Sequence, residues 1–287
     1  MYRRVAAIGL VGLLVLAGAG ALWVLPRLHA STPATDAADA GESLPIPPVP
    51  PRIAEGEDYE HCMSMLNSDP TGADAFADAW EATGGGEGAT HCHALAKIAL
   101  GDVDTGAEML EKLAASSHAP AVARAAVYGQ ADQAWLMAGK PDQALAAATL
   151  ALSLSGDDPD LLIDRSVASA TLEHYEDAVD DLTHALEIDG KRPDALVLRG
   201  AAWRHLGHLD LAQDDIDRAF ALDPENPEAF LERGILRQRR GDRTGAHQDW
   251  THTPRSSSRC TLPVCPWQMI RHCRPSLPVT SKYRFSR

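Results

Sequence analysis

Residues 193–226, which read PDALVLRGAAWRHLGHLDLAQDDIDRAFALDPEN, decide the fold of this chain. When this stretch is moved forward by 34 residues, Pro193 falls on Pro227 and Gly200 falls on Gly234. Moving it backward by the same interval again places small residues on small residues. A fixed period of this length is typical of stacked copies of one structural unit. Four units share one register, at 125–158, 159–192, 193–226 and from 227 onward.

Small residues at fixed offsets predict two helices joined by a tight turn in each unit. Glycine ends the first helix, where a left-handed backbone costs least for Gly, although Glu173 takes this place in the second unit. Alanine lies early in the second helix, where a larger side chain would push the two helices apart. The acidic residues around these positions, among them Asp181 and Asp215, are predicted to form a solvated outer face. The repeated small positions are Gly139, Ala144, Ala151, Ala178, Ala185, Gly200, Gly207, Ala212, Ala219, Gly234, Gly241 and Ala246.

These positions, together with the ending LDPENP at 222–227, resemble the tetratricopeptide repeat family. The resemblance covers residues 125–250, and a weaker unit before it repeats the turn with Gly101 and Gly106. It implies an all-α fold, an α-solenoid of stacked helical hairpins whose first helices line a concave groove. Members of the family generally bind peptides or partner proteins in that groove.

The first helices supply candidate groove residues. One subset of the family reads C-terminal carboxylates with a clamp of Lys, Asn and Arg, and the polar residues found here, including Asp160, Asp164 and Asp194, do not make that clamp. The later helices could give the groove a basic lining, or their arginines could be ordinary solvated positions. The groove candidates are Gln130, Gln133, Arg204, His205, Arg237 and Arg239.

The amino end predicts export from the cytoplasm. Arg3 and Arg4 precede an unbroken apolar run at residues 5–25, which is long enough to span a bilayer as a helix. We expect residues 1–30 to be a transmembrane helix anchored in the inner membrane, with the body facing the periplasm. A cleaved signal peptide, which would leave a periplasmic protein, is the alternative.

Residues 31–56 contain six prolines and predict an extended linker. Its PxxP spacing would also suit a ligand of a proline-binding module.

Residues 57–124 are predicted to form a divergent helical cap with a degenerate repeat. Because an oxidising compartment favours disulfides, we expect Cys62 and Cys92 to pair. A metal site is the alternative, since His91 and His93 flank Cys92. Residues two apart on a regular helix point about 200° apart, which disfavours that site. No metal or cofactor is therefore predicted.

The carboxyl end departs from the repeat. Residues 251–287 contain no Asp or Glu and hold three of the five cysteines, and the small-residue register fails after Trp250. We expect an irregular, basic and disordered tail there, and we attribute it to a change of reading frame near residue 250.

Composition and motifs favour binding over catalysis. The net charge of −14 disfavours nucleic acid as a partner, and no GxSxG, HExxH or phosphate-binding glycine loop is present. The sequence thus predicts a protein–protein interaction scaffold of the cell envelope. The alternatives are an accessory factor of envelope assembly or cytochrome maturation, or a metal-binding protein that uses the Cys/His cluster.

Overall fold

A computed structural model describes residues 52–252, which form twelve α-helices and no strand. The predicted anchor, residues 31–51 of the linker and residues 253–287 of the tail lie outside this range. Within it, no helix has both the length and the apolar character needed to cross a membrane. The helices are α1 (Glu57–Met65), α2 (Pro70–Ala82), α3 (Gly86–Ala99), α4 (Val103–Ser116), α5 (Ala121–Met137), α6 (Pro141–Leu154), α7 (Pro159–Thr171), α8 (Tyr175–Ile188), α9 (Pro193–His205), α10 (Leu209–Leu222), α11 (Pro227–Arg239) and α12 (Arg243–His252).

Consecutive helices pack into six hairpins, from α1–α2 to α11–α12, and each hairpin contacts the next. The odd-numbered helices also contact one another, α5 with α7, α7 with α9 and α9 with α11. Neighbouring even-numbered helices make at most marginal contacts. The odd-numbered helices therefore lie on the inner side of a curved stack, and the predicted all-α solenoid is confirmed.

The helices begin where the sequence satisfies their first backbone amides. The carboxylate of Asp158 accepts hydrogen bonds from the amides of Asp160 and Leu161 at the start of α7. At the start of α11 the side chain of Asn226 accepts one from the amide of Ala229. Proline occupies the first turn of α2, α6, α7, α9 and α11, where no amide donor is needed.

The repeated small residues lie where the two helices of a hairpin cross. All seven repeated alanines are at most 1% exposed. A Cβ atom at Gly200 would come within 3.2 Å of the carbonyl oxygen of Ala212, so this crossing leaves no spare room. Gly139, Gly207 and Gly241 have φ angles of 75°, 85° and 88° at the ends of the first helices.

Two boundaries differ from those expected. The array continues toward the amino end as two complete hairpins, and α5 begins at Ala121, so the boundary placed after residue 124 falls inside a helix. The degenerate first helix, expected from His91, begins at Gly86. In both cases the first helical turns lack large apolar residues, so periodicity did not reveal them.

Candidate functional site: the inner surface of the array

Polar side chains join successive first helices and mark the inner surface of the array. Their bonded atoms are 2.7 to 3.1 Å apart, and each pair connects one odd-numbered helix to the next. The pairs are His91 with Gln130, Gln133 with Asp164, and Arg204 with Glu232.

Apolar side chains share this surface with those polar pairs. On a helix, residues three or four apart lie on one face, so Val167 lies beside Asp164 and Ile235 beside Glu232. Leu198 belongs to the same face of α9. Val167, Leu198 and Ile235 are half-buried, and Met137, at the end of α5, is 62% exposed. The inner surface therefore offers a discontinuous apolar strip bordered by polar groups.

Arg204 has a different environment from the one expected of a groove residue. It is 3% exposed, and its guanidinium donates two hydrogen bonds, of 2.7 and 3.0 Å, to the carboxylate of Glu232. Burial raises the pKa of Glu232, while the Arg204 guanidinium acts in the opposite direction. The pair joins α9 to α11, and its charges compensate each other instead of giving the surface a free cation.

The other basic candidates also differ from expectation. Arg237 donates to the carboxylate of Asp249 at 2.9 Å, so it lies between α11 and α12. His205 stacks on the ring of Tyr175 with centroids 4.3 Å apart, and burial together with the charges of Arg204 and Arg239 lowers its pKa to about 4. Of the four predicted basic residues, Arg239 alone is an exposed cation near neutral pH.

A buried hydrogen-bonded chain connects three first helices at the amino end. The hydroxyl of Tyr59 lies 2.7 Å from Nδ1 of His91, whose Nε2 lies 2.7 Å from Oε1 of Gln130. Desolvation lowers the pKa of His91 to about 4, so the ring is neutral near pH 7. Gln130 is thus held by the cap, whereas Gln133 reaches along the surface to Asp164 at 3.1 Å.

The cysteine pair lies in the same region. The sulfur atoms of Cys62 and Cys92 form a disulfide that joins α1 to α3, and both residues are fully buried. Neighbouring His93 lies between the carboxylates of Asp74 and Glu81, at 3.3 and 3.1 Å. No group of three or more His, Cys, Asp or Glu side chains within residues 52–252 is arranged to hold a metal ion.

Three arginine–aspartate pairs, which the sequence reading missed, fasten the helices of the last three hairpins. Each guanidinium donates two hydrogen bonds to one carboxylate, the geometry that makes such pairs strong. Asp181 and Asp215 are 7% and 3% exposed, so their expected place on a solvated face is wrong. An arginine sixteen residues before an aspartate, repeated every 34 residues, was the available signal. The pairs are Arg165–Asp181, Arg199–Asp215 and Arg233–Asp249.

Solved structures share this architecture. A chain in the structure of the APC/C hetero-tetramer Cut9-Hcn1 is 14% identical with a TM-score of 0.54, over 75% of this chain and 42% of that one. The C-terminal part of a TPR repeat-containing protein from Cytophaga hutchinsonii is 12% identical with a TM-score of 0.54, over 68% of this chain and 77% of that one. At these identities the likeness establishes the fold alone, which is the tetratricopeptide-repeat fold.

A third similarity is more local. The first TPR of Spaghetti (RPAP3), in a structure with a bound HSP90 peptide, is 27% identical over 41% of this chain and 93% of that one, with a TM-score of 0.39. Neither a protein-family model nor a curated protein matches the sequence.

Proposed function

We propose that this chain is a protein–protein interaction scaffold of the cell envelope, which binds a partner protein or peptide along its inner surface. The apolar strip formed by Val167, Leu198 and Ile235, with Gln133 and Asp164 beside it, carries this proposal. Apolar side chains supply contact area to a bound segment, and the polar groups next to them fix its position.

The polar groups of the described residues suit binding better than catalysis. Between these residues, no hydrogen bond joins a serine or cysteine side chain to a histidine, which is the arrangement that activates a nucleophile. The Cys62 thiol group is consumed in a disulfide, and His91 is held by Tyr59 and Gln130. We therefore assign no enzymatic role to the chain.

The location in the envelope is part of the proposal. Two features support it, the apolar run at residues 5–25 behind two arginines and the disulfide between Cys62 and Cys92. Disulfides persist in oxidising compartments outside the cytoplasm. A retained amino-terminal helix would hold the array at the membrane with its inner surface in the periplasm.

Capture from an envelope extract with full-length chain tests the proposal. The variant Val167→Glu/Leu198→Glu places two carboxylates on the apolar strip, and the control Gln143→Glu/Thr149→Glu places two on the exposed face of α6. We expect the first variant to recover partners at least about tenfold less efficiently, which corresponds to about 1.4 kcal/mol, and the control to match the parent. Equal recovery by both variants would refute binding at the inner surface.

A further inference from the structure

The charge of the array differs sharply between its two ends. The first hairpin, α1–α2, contains seven acidic residues and no Lys or Arg within residues 57–82. The last hairpin, α11–α12, contains four acidic residues and five arginines within residues 227–252. The two ends of the described solenoid therefore carry opposite net charge.

At the carboxyl end, internal pairs neutralise the acidic side chains more completely than the basic ones. Glu232 is bound by Arg204, and Asp249 is bound by two arginines of α11. Arg239 and Arg243 are exposed, at the end of α11 and the start of α12. Among residues 52–252, this hairpin has a neighbouring hairpin on one side only.

At the amino end, the exposed side chains of α1 are acidic. The helix buries Tyr59 and Cys62 against the array, and it exposes Glu57 and Asp58 in its first turn. Within the described range this hairpin, too, has a neighbour on one side only. Like charges would repel if two such ends met, whereas the opposite ends of two molecules attract each other.

Junctions inside the array already use this chemistry. Lys140 bonds to Asp104 at 2.9 Å between the second and third hairpins, and Arg240 bonds to Asp210 at 3.0 Å between the last two. An ion pair between a cation and a carboxylate is therefore a regular element of hairpin stacking in this chain. An end-to-end contact would have the same elements, with the earlier hairpin supplying the cation.

We propose that copies of this chain associate end to end, with the acidic α1–α2 hairpin of one copy packed against the basic α11–α12 hairpin of the next. The interface joins two different surfaces and is therefore heterologous, so it extends the stack from one molecule to another. Exposed charge pairs contribute strongly to such an association at low ionic strength and weakly at high ionic strength.

Sedimentation velocity of the full-length chain, over a concentration series in a non-ionic detergent, tests this proposal. We expect association at about 50 mM salt that weakens at least about tenfold at about 500 mM. The head variant Glu57→Lys/Asp58→Lys and the end variant Arg239→Glu/Arg243→Glu should each be monomeric alone. An equimolar mixture of the two should associate, because every contact between unlike variants again joins opposite charges.

A matched control separates the two ends from net charge. Asp180→Lys/Asp214→Lys makes the same charge change as the head variant on the exposed faces of α8 and α10, and it should associate like the parent. Circular dichroism should show equal helix content for all variants. A monomeric parent across the series, or a mixture that stays monomeric, overturns the proposal. So does an effect of the end variant alone, which would indicate that another segment covers α11–α12.

Discussion

His91 illustrates how one side chain makes the stability of the array depend on pH. It is 3% exposed between the hydroxyl of Tyr59 and the amide of Gln130, and desolvation lowers its pKa from 6.5 to about 4. Between these values the unfolded chain binds a proton that the folded chain does not. Folding is therefore opposed increasingly as the pH falls from about 6.5 to about 4, and this contribution is constant below that range.

The first prediction concerns this pH window. Urea unfolding of the parent should show a loss of about 3 kcal/mol attributable to His91 between about pH 7 and about pH 4, which follows from the depressed pKa at 1.36 kcal/mol per unit. The variant His91→Gln should show a smaller loss over the same interval. Because the pKa of His205 is lowered in the same direction, His205→Gln serves as a comparison. An unchanged pH profile for His91→Gln would contradict the assignment.

The sequence identified Arg204 and His205 as inner-surface residues but not their state. The repeat register places both at the carboxyl end of a first helix, which is where they lie. Their charges are cancelled by Glu232, 28 residues away in the next hairpin, and by stacking on Tyr175 in the preceding one. Periodicity within one unit carries no information about which side chains of neighbouring units meet, so these pairings required coordinates.

At the scale of the element, the arginine–aspartate pairs replace an apolar contact that the chain uses elsewhere. In the α5–α6 hairpin the two equivalent positions are Ala131 and Ala147, both fully buried. The hairpin therefore tolerates either an ion pair or two small apolar residues at this place. Breaking only half of a pair is different, because it leaves a buried charge without compensation.

The second prediction follows from that asymmetry. Asp215→Ala should destabilise the chain by about 3 kcal/mol, since the Arg199 guanidinium is 14% exposed and loses its main acceptor. The double variant Arg199→Met/Asp215→Ala should recover at least about half of this loss, which a double-mutant cycle in urea would measure. Strict additivity of the two single effects would show that the pair is not coupled.

The third prediction concerns the crossing of α3 and α4. Gly106 occupies the place that alanine holds in the four later hairpins, yet a Cβ atom there would lie 2.7 Å from the carbonyl oxygen of Ala94. Gly106→Ala should therefore destabilise the chain by about 2 kcal/mol, even though alanine favours helix and matches the repeat. Gly156→Ala, whose new methyl group would find its nearest neighbour at 3.5 Å, should be neutral or slightly stabilising. Thermal or urea unfolding distinguishes the two.

Sequence reading was most successful where one residue type has one physical reason. The left-handed turns at Gly139, Gly207 and Gly241 followed from the low cost of that conformation for glycine, and Glu173, which replaces such a glycine, adopts a φ of 66°. Acidic residues were harder, because Asp181 and exposed Asp180 are adjacent and have the same local pattern. Only the facing helix decides which of the two is buried.

At the scale of the whole molecule, stability is distributed hairpin by hairpin, because each unit contacts mainly its neighbours. The amino-terminal hairpin differs from the others, since α1 is the shortest helix in residues 52–252 and is attached by the Cys62–Cys92 disulfide. That cross-link spans 30 residues. In the chain-entropy account, a closed loop of this length stabilises the folded state by about 3–4 kcal/mol.

The last prediction is that removing the disulfide loosens one end of the array and leaves the rest intact. In Cys62→Ala/Cys92→Ala, amide hydrogen exchange should accelerate in α1 and α2 by up to the factor of several hundred that corresponds to about 3–4 kcal/mol, with little change from α5 to α10. The parent treated with a dithiol reductant under mildly destabilising conditions should show the same pattern, which controls for packing effects of the substitutions. Uniform acceleration across all hairpins would instead mean that the array unfolds as one cooperative unit. In that case the nearest-neighbour description of its stability would be wrong, because the loss at α1 would reach every helix through a single equilibrium.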